Sequence, residues 1–424
     1  MTAHASSSVG SRGEPWDLLV VGGGTAGIVG AKTAARLGTR VLLVERARTG
    51  GDCLWTGCVP SKALLAAGRV AATARGGHRL GISVAEVSVD FAKVMDHVRG
   101  AIRHIAPLDS VEALEHAGVS VRTGTARFTG PDSAEVDGVP LVFRQALVAT
   151  GAAPTVPPGP GLREVDHLTS DTVWDLTELP ADLVVLGGGS IGCELGQAFA
   201  RLGSRVSVVE GAPRILPHED PRAAAEVRRA LDDDGVDVHT GSGVARVEPT
   251  APGSGVLHLE DGAQVPFSRL LVAVGRAPCT TGIGLAAAGV EVDDRGFVVV
   301  DDLLRTTNTR IWAAGDLTGH PQFTHVAGVH GSLAASNAIL GVRRKVDLTA
   351  VPRVTFTDPE VAAVGLGTTG SVAGCAPLTG RTPTSTGRSP RASCPASPGS
   401  SSTGAAASSV PRSSDRGQGR PWAS

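Results

Sequence analysis

Two cysteines lie close together in the glycine-rich stretch GGDCLWTGCVPSK, with four residues between Cys53 and Cys58. As a disulfide staple the pair would stabilise little, since so short a loop removes less chain entropy than the roughly 3 kcal/mol of a 15-residue loop. Zinc would need two further thiolates or imidazoles at finger-like spacing, and the sequence offers none. A redox pair and two inert thiols are the interpretations that remain.

A helix is predicted directly behind the pair, starting at Pro60, Ser61 and Lys62 and continuing through SKALLAAGRVAATA. A thiol near a helix N-terminus is shifted towards the thiolate, which is its reactive form. The element that would position Cys58 therefore favours the redox interpretation.

A glycine-rich turn precedes the cysteines and is typical of a dinucleotide site. Gly22, Gly24 and Gly27 follow the apolar strand WDLLVV and open an alanine-rich helix, and Glu45 ends the next strand. The glycines allow a tight turn, close approach of a pyrophosphate and helix packing, while the acid can accept from a ribose hydroxyl. The diphosphate would lie at the helix N-terminus. The alternative is a tight strand-to-helix turn without a ligand.

The same pattern recurs 165 residues later, with Gly187, Gly189 and Gly192 in the turn and Glu210 at the end of the second strand. Two such units predict two bound nucleotides. A carboxylate at Glu210 favours NAD(H) over NADP(H), because it accepts from a free ribose hydroxyl and repels a 2′-phosphate. Arg214 weakens this preference, and a solvated strand end is the alternative for Glu210.

Composition and charge exclude several classes of protein. The 424 residues predict two to four domains, and the net charge of -2 argues against nucleic-acid or membrane partners. The longest apolar runs of the chain are much shorter than the roughly 20 residues that a membrane-spanning helix needs. Six cysteines do not make a secreted disulfide scaffold, and no signal peptide is recognisable. We therefore expect a soluble, cytoplasmic protein with small-molecule partners.

Five ordered motifs resemble those of the pyridine nucleotide-disulfide oxidoreductases, the flavoproteins that include dihydrolipoyl dehydrogenase and mercuric reductase. They are the two glycine turns, the cysteine pair with VPSK, ATG at 149–151 and IWAAGD at 311–316. The resemblance runs from about Trp16 to Gly365 and implies an α/β fold with two Rossmann-like domains. The expected divisions are a disordered leader (1–15), a first FAD-binding part (16–150), an NAD(P)H-binding domain (151–275), a second FAD-binding or central part (276–346), a remnant of a dimerisation domain (347–366) and a disordered, aberrant tail (367–424).

The resemblance also implies roles for individual residues. Cys58 would face the flavin, Cys53 would exchange with substrate, and Lys62 would approach the flavin ring and pair with Glu194; two unrelated surface charges are the alternative for that pair. The remaining contacts would be to FAD from Gly22, Gly24, Gly27, Glu45, Lys62, Ala126, Thr150, Gly151, Arg276 and Asp316, and to NAD(H) from Gly187, Gly189, Gly192, Glu210 and Gly275. No residue is expected to bind a metal.

The implied activity is transfer of electrons from NAD(P)H through FAD to the Cys53–Cys58 disulfide, and from there to a small-molecule or protein-bound disulfide. Two alternatives are an NADH diaphorase that reduces quinones and a non-catalytic FAD-binding remnant. Mercuric reductase itself is disfavoured, because it would carry vicinal cysteines near the C-terminus, whereas Cys375 and Cys394 are isolated.

The C-terminal region departs from the family pattern. Relatives are expected to dimerise through a C-terminal domain that supplies an acid-base histidine, but no histidine follows His330. From Gly367 the chain consists almost wholly of small and polar residues with arginine, a composition that predicts disorder. With GC-rich codons, another reading frame of 400–417 would encode a strand-turn-strand sequence. We therefore predict a frameshift near Gly367, in the gene or in its sequencing; a natural disordered tail is the alternative.

Overall fold

The structure is a computed structural model that describes residues 14–365. Within this range the chain forms α1 (Thr25–Arg36), α2 (Gly51–Trp55), α3 (Cys58–Gly76), α4 (Phe91–Ile105), α5 (Val111–His116), α6 (Ser190–Leu202), α7 (Pro221–Asp233) and α8 (Thr324–Leu340). Short 3₁₀ helices span Gly77–Leu80, Ala106–Asp109, Val173–Asp175 and Asp316–Thr318. The predicted tail over 367–424, and all but the end of the predicted leader, lie outside the described residues.

The strands fall into two large sheets, of which the first is mixed and the second parallel, and three smaller antiparallel groups. Their bounds are β1 (Trp16–Val21), β2 (Val41–Glu45), β3 (Val119–Thr123), β4 (Ala126–Gly130), β5 (Ser133–Val136), β6 (Val139–Val148), β7 (Ala152–Pro154), β8 (Leu168–Thr169), β9 (Asp182–Leu186), β10 (Arg205–Glu210), β11 (Asp237–Thr240), β12 (Val244–Ala251), β13 (Ser254–Leu259), β14 (Gln264–Phe267), β15 (Arg269–Val272), β16 (Arg276–Pro278), β17 (Ile311–Ala313), β18 (Pro352–Thr355) and β19 (Val361–Val364).

The first large sheet has the order β3-β2-β1-β6-β5-β4, with β17 also paired to β6. Strand β1 pairs in parallel with β2 and β6. Its side chains alternate between two cores, with Leu18 and Val20 on one face and Leu19 and Val21 on the other. A strand covered on both faces requires an unbroken apolar run, which LLVV supplies.

The second large sheet has the order β11-β10-β9-β15-β8, and its strand pairs are parallel. Strand β9 repeats the alternation of β1, with Leu183 and Val185 in one core and Val184 and Leu186 in another. Each unit thus places a helix directly after its first strand, α1 after β1 and α6 after β9. The predicted α/β fold with two Rossmann-like units is confirmed.

Helix α3 connects the cysteines to the second unit. Its glycine at position 68 allows a close crossing with α6, since a Cβ there would lie 3.3 Å from the Cα and carbonyl oxygen of Ala198. The helix begins at Cys58, two residues before the predicted start at Pro60. Proline is tolerated in a first turn because its missing N–H would have no intrahelical partner there. Cys58 is therefore part of the helix N-terminus.

Two antiparallel ribbons complete the parts that bear on the site. Strands β7 and β16 pair through Pro154 and Arg276, so the chain enters and leaves the second unit side by side. Strands β18 and β19 form a hairpin in the stretch VPRVTFTDPEVAAVG, where the sequence predicts a strand and a turn.

Candidate active site

Both glycine turns have the backbone geometry that the dinucleotide pattern requires. Gly22 and Gly187 have φ of 109° and 113°, and a Cβ on either would collide with a carbonyl of the adjoining strand end, that of Ala149 or Ala273. Gly189 caps α6 and has open space where its Cβ would be. The helix N-terminus behind it is therefore accessible to an anionic ligand.

The two acids at the ends of β2 and β10 are held in the same way. Glu45 accepts from the backbone N–H groups of Gly23 and Ala47, at 2.7 and 2.9 Å. Glu210 accepts from Gly188 and Ala212, at 2.7 and 2.8 Å. Each carboxylate is thus fixed beside its glycine turn before any ligand binds.

Cys53 lies in α2 and Cys58 begins α3, and both are free thiols in this structure. A hydrogen bond from the Cys53 thiol, helped by Thr324 and the Lys62 ammonium, lowers the pKa of Cys58 to about 5 against the effect of burial. The same hydrogen bond, together with burial, raises the pKa of Cys53. Of the two thiols, Cys58 is therefore the more acidic and the one whose surroundings favour the thiolate.

Thr324 joins this pair from the start of α8, with its Oγ1 3.4 Å from the Cys58 Sγ. The hydroxyl of Thr324 was not among the predicted site residues. A hydroxyl at the first residue of a helix facing a redox cysteine is the signal that could have identified it.

The structure contains the ion pair expected between Lys62 and Glu194, with 3.1 Å between Nζ and Oε2. The Glu194 side chain is buried and that of Lys62 is partly exposed. Two more contacts were not predicted. The Phe356 ring lies 4.1 Å from the Lys62 Nζ, and the Phe356 N–H donates to Glu194 Oε1 at 2.9 Å.

Arg276 lies in the β16 ribbon and binds the segment that carries the cysteines. It donates to Asp52, to the carbonyl of Ala152 at 2.6 Å and to Ser170 Oγ at 3.4 Å. Burial raises the pKa of Asp52, and the Arg276 charge opposes this shift. The sequence singled out Arg276 as a flavin contact; its bond to Asp52, the residue before Cys53, was missed.

The other predicted flavin residues lie where strands of the first sheet end. Asp316 follows β17 and is partly buried, and the resulting desolvation raises its pKa against the opposing Arg276 charge. Thr150 follows β6 and donates from its hydroxyl to the Cys279 carbonyl, and Gly151 accepts from the Cys279 N–H. Since β1, β6 and β17 are parallel, these positions share an edge with Gly22.

Ala126 and Gly275 lie away from this cluster. Ala126 is buried at the start of β4, just beyond the strand that pairs with Glu45. Gly275 precedes β16, has a φ of 138° and accepts from the Thr155 N–H. Within residues 14–365 no group of three or more His, Cys, Asp and Glu side chains could hold a metal ion, and no helix there could cross a membrane.

Two dinucleotide turns and a dithiol with an acidified sulfur define a class of two-nucleotide redox proteins. The sequence profile described as "Pyridine nucleotide-disulphide oxidoreductase" matches residues 16–331. The chain belongs to this family of FAD- and pyridine-nucleotide-binding enzymes.

Curated relatives include two kinds of enzyme. The mercuric reductase of Streptomyces lividans is 41% identical over 361 residues, covering 83% of this chain and 76% of the relative. The mercuric reductase of Bacillus cereus is 39% identical, and this chain spans only 56% of its length while 83% of this chain is covered. The dihydrolipoyl dehydrogenase of Geobacillus stearothermophilus is 36% identical, with 82% of this chain and 75% of the relative covered.

A solved structure shares the fold. The HOCl-induced flavoprotein disulfide reductase RclA from Escherichia coli superposes with a TM-score of 0.75 at 31% identity, covering 84% of this chain and 78% of that protein. The fold and the family predicted from the sequence are therefore confirmed.

Proposed function

We propose that this chain uses NADH and FAD to reduce a Cys53–Cys58 disulfide and then passes the electrons to an external disulfide, in the manner of a dihydrolipoyl dehydrogenase. The observation that carries the proposal is the position of Cys58 as the first residue of α3, with its Sγ 3.4 Å from Thr324 Oγ1 and Lys62 one helical turn behind it, an arrangement that lowers the pKa of the thiol. A thiolate persisting at neutral pH is the reactive form in dithiol chemistry.

The residues of the two turns fit the proposed nucleotides, because Gly189 leaves open space at a helix N-terminus and both acids are oriented by backbone N–H groups. When bound, FAD supplies the two-electron carrier between nicotinamide and sulfur. We assign FAD to Gly22, Gly24, Gly27, Glu45, Lys62, Ala126, Thr150, Gly151, Arg276 and Asp316, and the pyridine nucleotide to Gly187, Gly189, Gly192, Glu210 and Gly275.

The pyridine nucleotide is proposed to be NAD(H). Glu210 is fixed as a ribose acceptor, and its charge would repel a 2′-phosphate. Arg214, the nearby cation that could offset this, donates instead to the carbonyls of Leu216 and Pro217 at 2.8 and 2.7 Å. This use of the guanidinium supports the choice of NAD(H).

The exchange step requires only the two cysteines and the acceptor. The Cys58 thiolate takes the Cys53 proton, and the Cys53 sulfur attacks the external disulfide, forming a mixed disulfide and releasing one thiolate. That thiolate accepts the proton from Cys58, whose sulfur then attacks Cys53 and releases the second thiolate. The dithiol is oxidised to the Cys53–Cys58 disulfide, and the external disulfide is reduced.

Anaerobic titration of the purified, FAD-loaded protein with NADH tests the assignment. A long-wavelength absorption band from the Cys58 thiolate beside oxidised flavin should appear in the parent chain when NADH is added. In Cys53→Ser the band should be present before NADH and disappear as the flavin is reduced, and in Cys58→Ser it should be absent throughout. Cys375→Ser serves as the matched control, because this cysteine lies outside the described residues, and it should behave as the unmodified chain. A band that persists in Cys58→Ser would exclude the proposed role of this thiol.

An NADH diaphorase is the second candidate, because no histidine follows His330 to assist the exchange. Turnover with a lipoamide-type disulfide, a quinone and mercuric ion in parallel distinguishes the acceptors. Loss of disulfide reduction in Cys53→Ser, with quinone reduction unchanged, is the result expected of a disulfide reductase. Equal quinone turnover in both proteins without any disulfide turnover would leave only the diaphorase.

The proposal extends to the assembly and the location of the protein. The family resemblance predicts a homodimer, but the interface domain is compromised in this chain by the aberrant sequence from Gly367, and light scattering of the purified protein measures which oligomer forms. A cytoplasmic location is proposed because a working dithiol requires a compartment in which thiols persist.

A further inference from the structure

Three polar side chains of α6 lie three and four residues apart and therefore share one face of the helix. These residues, Glu194, Gln197 and Arg201, are called the α6 stripe below. Each of them binds the short segment that follows β18, which comprises Phe356, Thr357 and Asp358. The stripe thus connects the second dinucleotide unit to the β18–β19 hairpin.

The bonds between the stripe and this segment are specific. The Asp358 N–H donates to Gln197 Oε1 at 2.8 Å, and Gln197 Nε2 donates to the Asp358 carbonyl at 3.0 Å. Arg201 Nη1 donates to the Asp358 carboxylate at 3.0 Å. Gln197 is 4% exposed, and a buried amide that lost these partners would retain an uncompensated desolvation cost. The position of the segment on α6 is therefore well determined.

Phe356 extends this contact to the charged group beside the cysteines. Its ring lies 4.1 Å from the Lys62 ammonium, and its N–H donates to Glu194, which in turn accepts from Lys62 at 3.1 Å. The ring and the carboxylate both attract the cation. Without the ring, the partly exposed Lys62 would retain one of these two restraints.

We propose that Phe356 is a positioning residue that holds the ammonium of Lys62, which lies one turn along α3 from Cys58, with the α6 stripe fixing Phe356 in place. The residue acts through Lys62 and Glu194 and takes part in no bond change itself. The consequence is that the hairpin, far from the cysteines in the sequence, helps to maintain the thiolate form of Cys58.

The direct test is the pH dependence of Cys58 alkylation by iodoacetamide, followed by peptide mass spectrometry in a Cys53→Ser background. Phe356→Leu keeps an apolar side chain but removes the ring face. We expect the midpoint of the alkylation profile to move upward by about half a pH unit, because a less restrained Lys62 ammonium would favour the Cys58 thiolate less strongly. Phe356→Tyr keeps the ring face and should restore the original midpoint.

Phe267→Leu is the matched control, because Phe267 is a buried phenylalanine of β14 outside the contacts just described. It should lower stability without moving the Cys58 midpoint. Gln197→Met removes the bonds to Asp358 while leaving Phe356 intact, and we expect a smaller upward shift in the same direction. Equal midpoints in Phe356→Leu and the parent chain would overturn the proposal.

The inference rests on the proposed function only where it concerns flavin, because the alkylation measurement requires no bound flavin. In the FAD-loaded protein, Phe356→Leu should also weaken the long-wavelength band, and Phe356→Tyr should retain it. A parent protein that shows no band but gives the alkylation shift would reject the proposed electron transfer and retain the role of Phe356. A normal band together with an unchanged alkylation midpoint in every variant would retain the proposed electron transfer and reject the role of Phe356.

Discussion

The two dinucleotide units of this chain have the same local geometry but different surroundings. Their first glycines differ by only 4° in φ, and their acids accept hydrogen bonds from the same two relative positions. Around the first turn, Gly24 lies against the cysteine segment: a Cβ added to Gly24 would lie 3.8 Å from the Gly51 Cα. Around the second, the corresponding Gly189 has open space.

The helices that follow the turns differ further. In α6 a glutamate and a glutamine are buried and bind Lys62 and the β18–β19 hairpin. The first unit instead has α8 nearby, which contributes Thr324 to the thiol pair. His330 of the same helix accepts a hydrogen bond from the N–H of Gly315, the residue before Asp316. The two units therefore share one folding pattern and differ in what packs against the turn and its helix.

The strongest test of this comparison replaces the first glycine of each turn. Gly22→Ala and Gly187→Ala each place a side chain on a left-handed backbone and in collision with a strand carbonyl. Each should destabilise the conformation of its turn by on the order of 4 kcal/mol. We expect Gly22→Ala to lose flavin and Gly187→Ala to retain flavin while losing NADH reduction. Flavin content and anaerobic NADH titration measure the two outcomes. Loss of flavin from both variants alike would show that the units do not act separately.

A smaller effect is the loss of folding stability at acid pH, which we expect to originate in the first unit. Burial beside His320 lowers the pKa of His330 to about 4, below the value near 6.5 of an unfolded histidine. The unfolded chain therefore binds more protons between these values, so stability is present above pH 6.5 and falls towards pH 4, by up to about 3 kcal/mol.

Urea unfolding at pH 7 and pH 5 measures this loss. His330→Leu removes the titrating ring and should reduce the difference between the two pH values, whereas His97→Leu should not change it. An equal acid loss in the parent and in His330→Leu would assign the sensitivity to other groups.

The smallest expected effect lies in the second unit. Since the Arg214 guanidinium already binds two backbone carbonyls, Arg214→Ala should cost roughly 1 kcal/mol of stability and leave the preference for NADH over NADPH within about twofold. The ratio of kcat/KM for the two nucleotides measures the preference. A large move towards NADH would show that Arg214 binds a 2′-phosphate after all.

The local parts of the site could be predicted because short-range patterns determine them. A glycine spacing between an apolar strand and a helix specifies the turn, and an acid at the next strand end lies beside it. The ring of Phe356 on Lys62 had no such signal, since 294 residues separate the two and only the packed fold brings them together. The Asp52 contact with Arg276 was missed for the same reason.

Helix boundaries show a second kind of limit. Pro60 is a good start signal, but a proline fits anywhere in the first turn, so the sequence could not distinguish a helix beginning at Cys58 from one beginning at Pro60. That shift of two residues decides whether the thiol belongs to the helix. The structure was needed to show that it does.

The ribbon of β7 and β16 has a consequence for the whole second unit. Because Pro154 pairs with Arg276, the two ends of the intervening chain are neighbours, roughly 5 Å apart as in any paired strands. The segment is in this sense an insertion with adjacent ends, which a graft from a relative could replace without reconnecting the first unit. Such a chimaera would need to keep the α6 stripe, since the host chain would still present Lys62 and Phe356 to it.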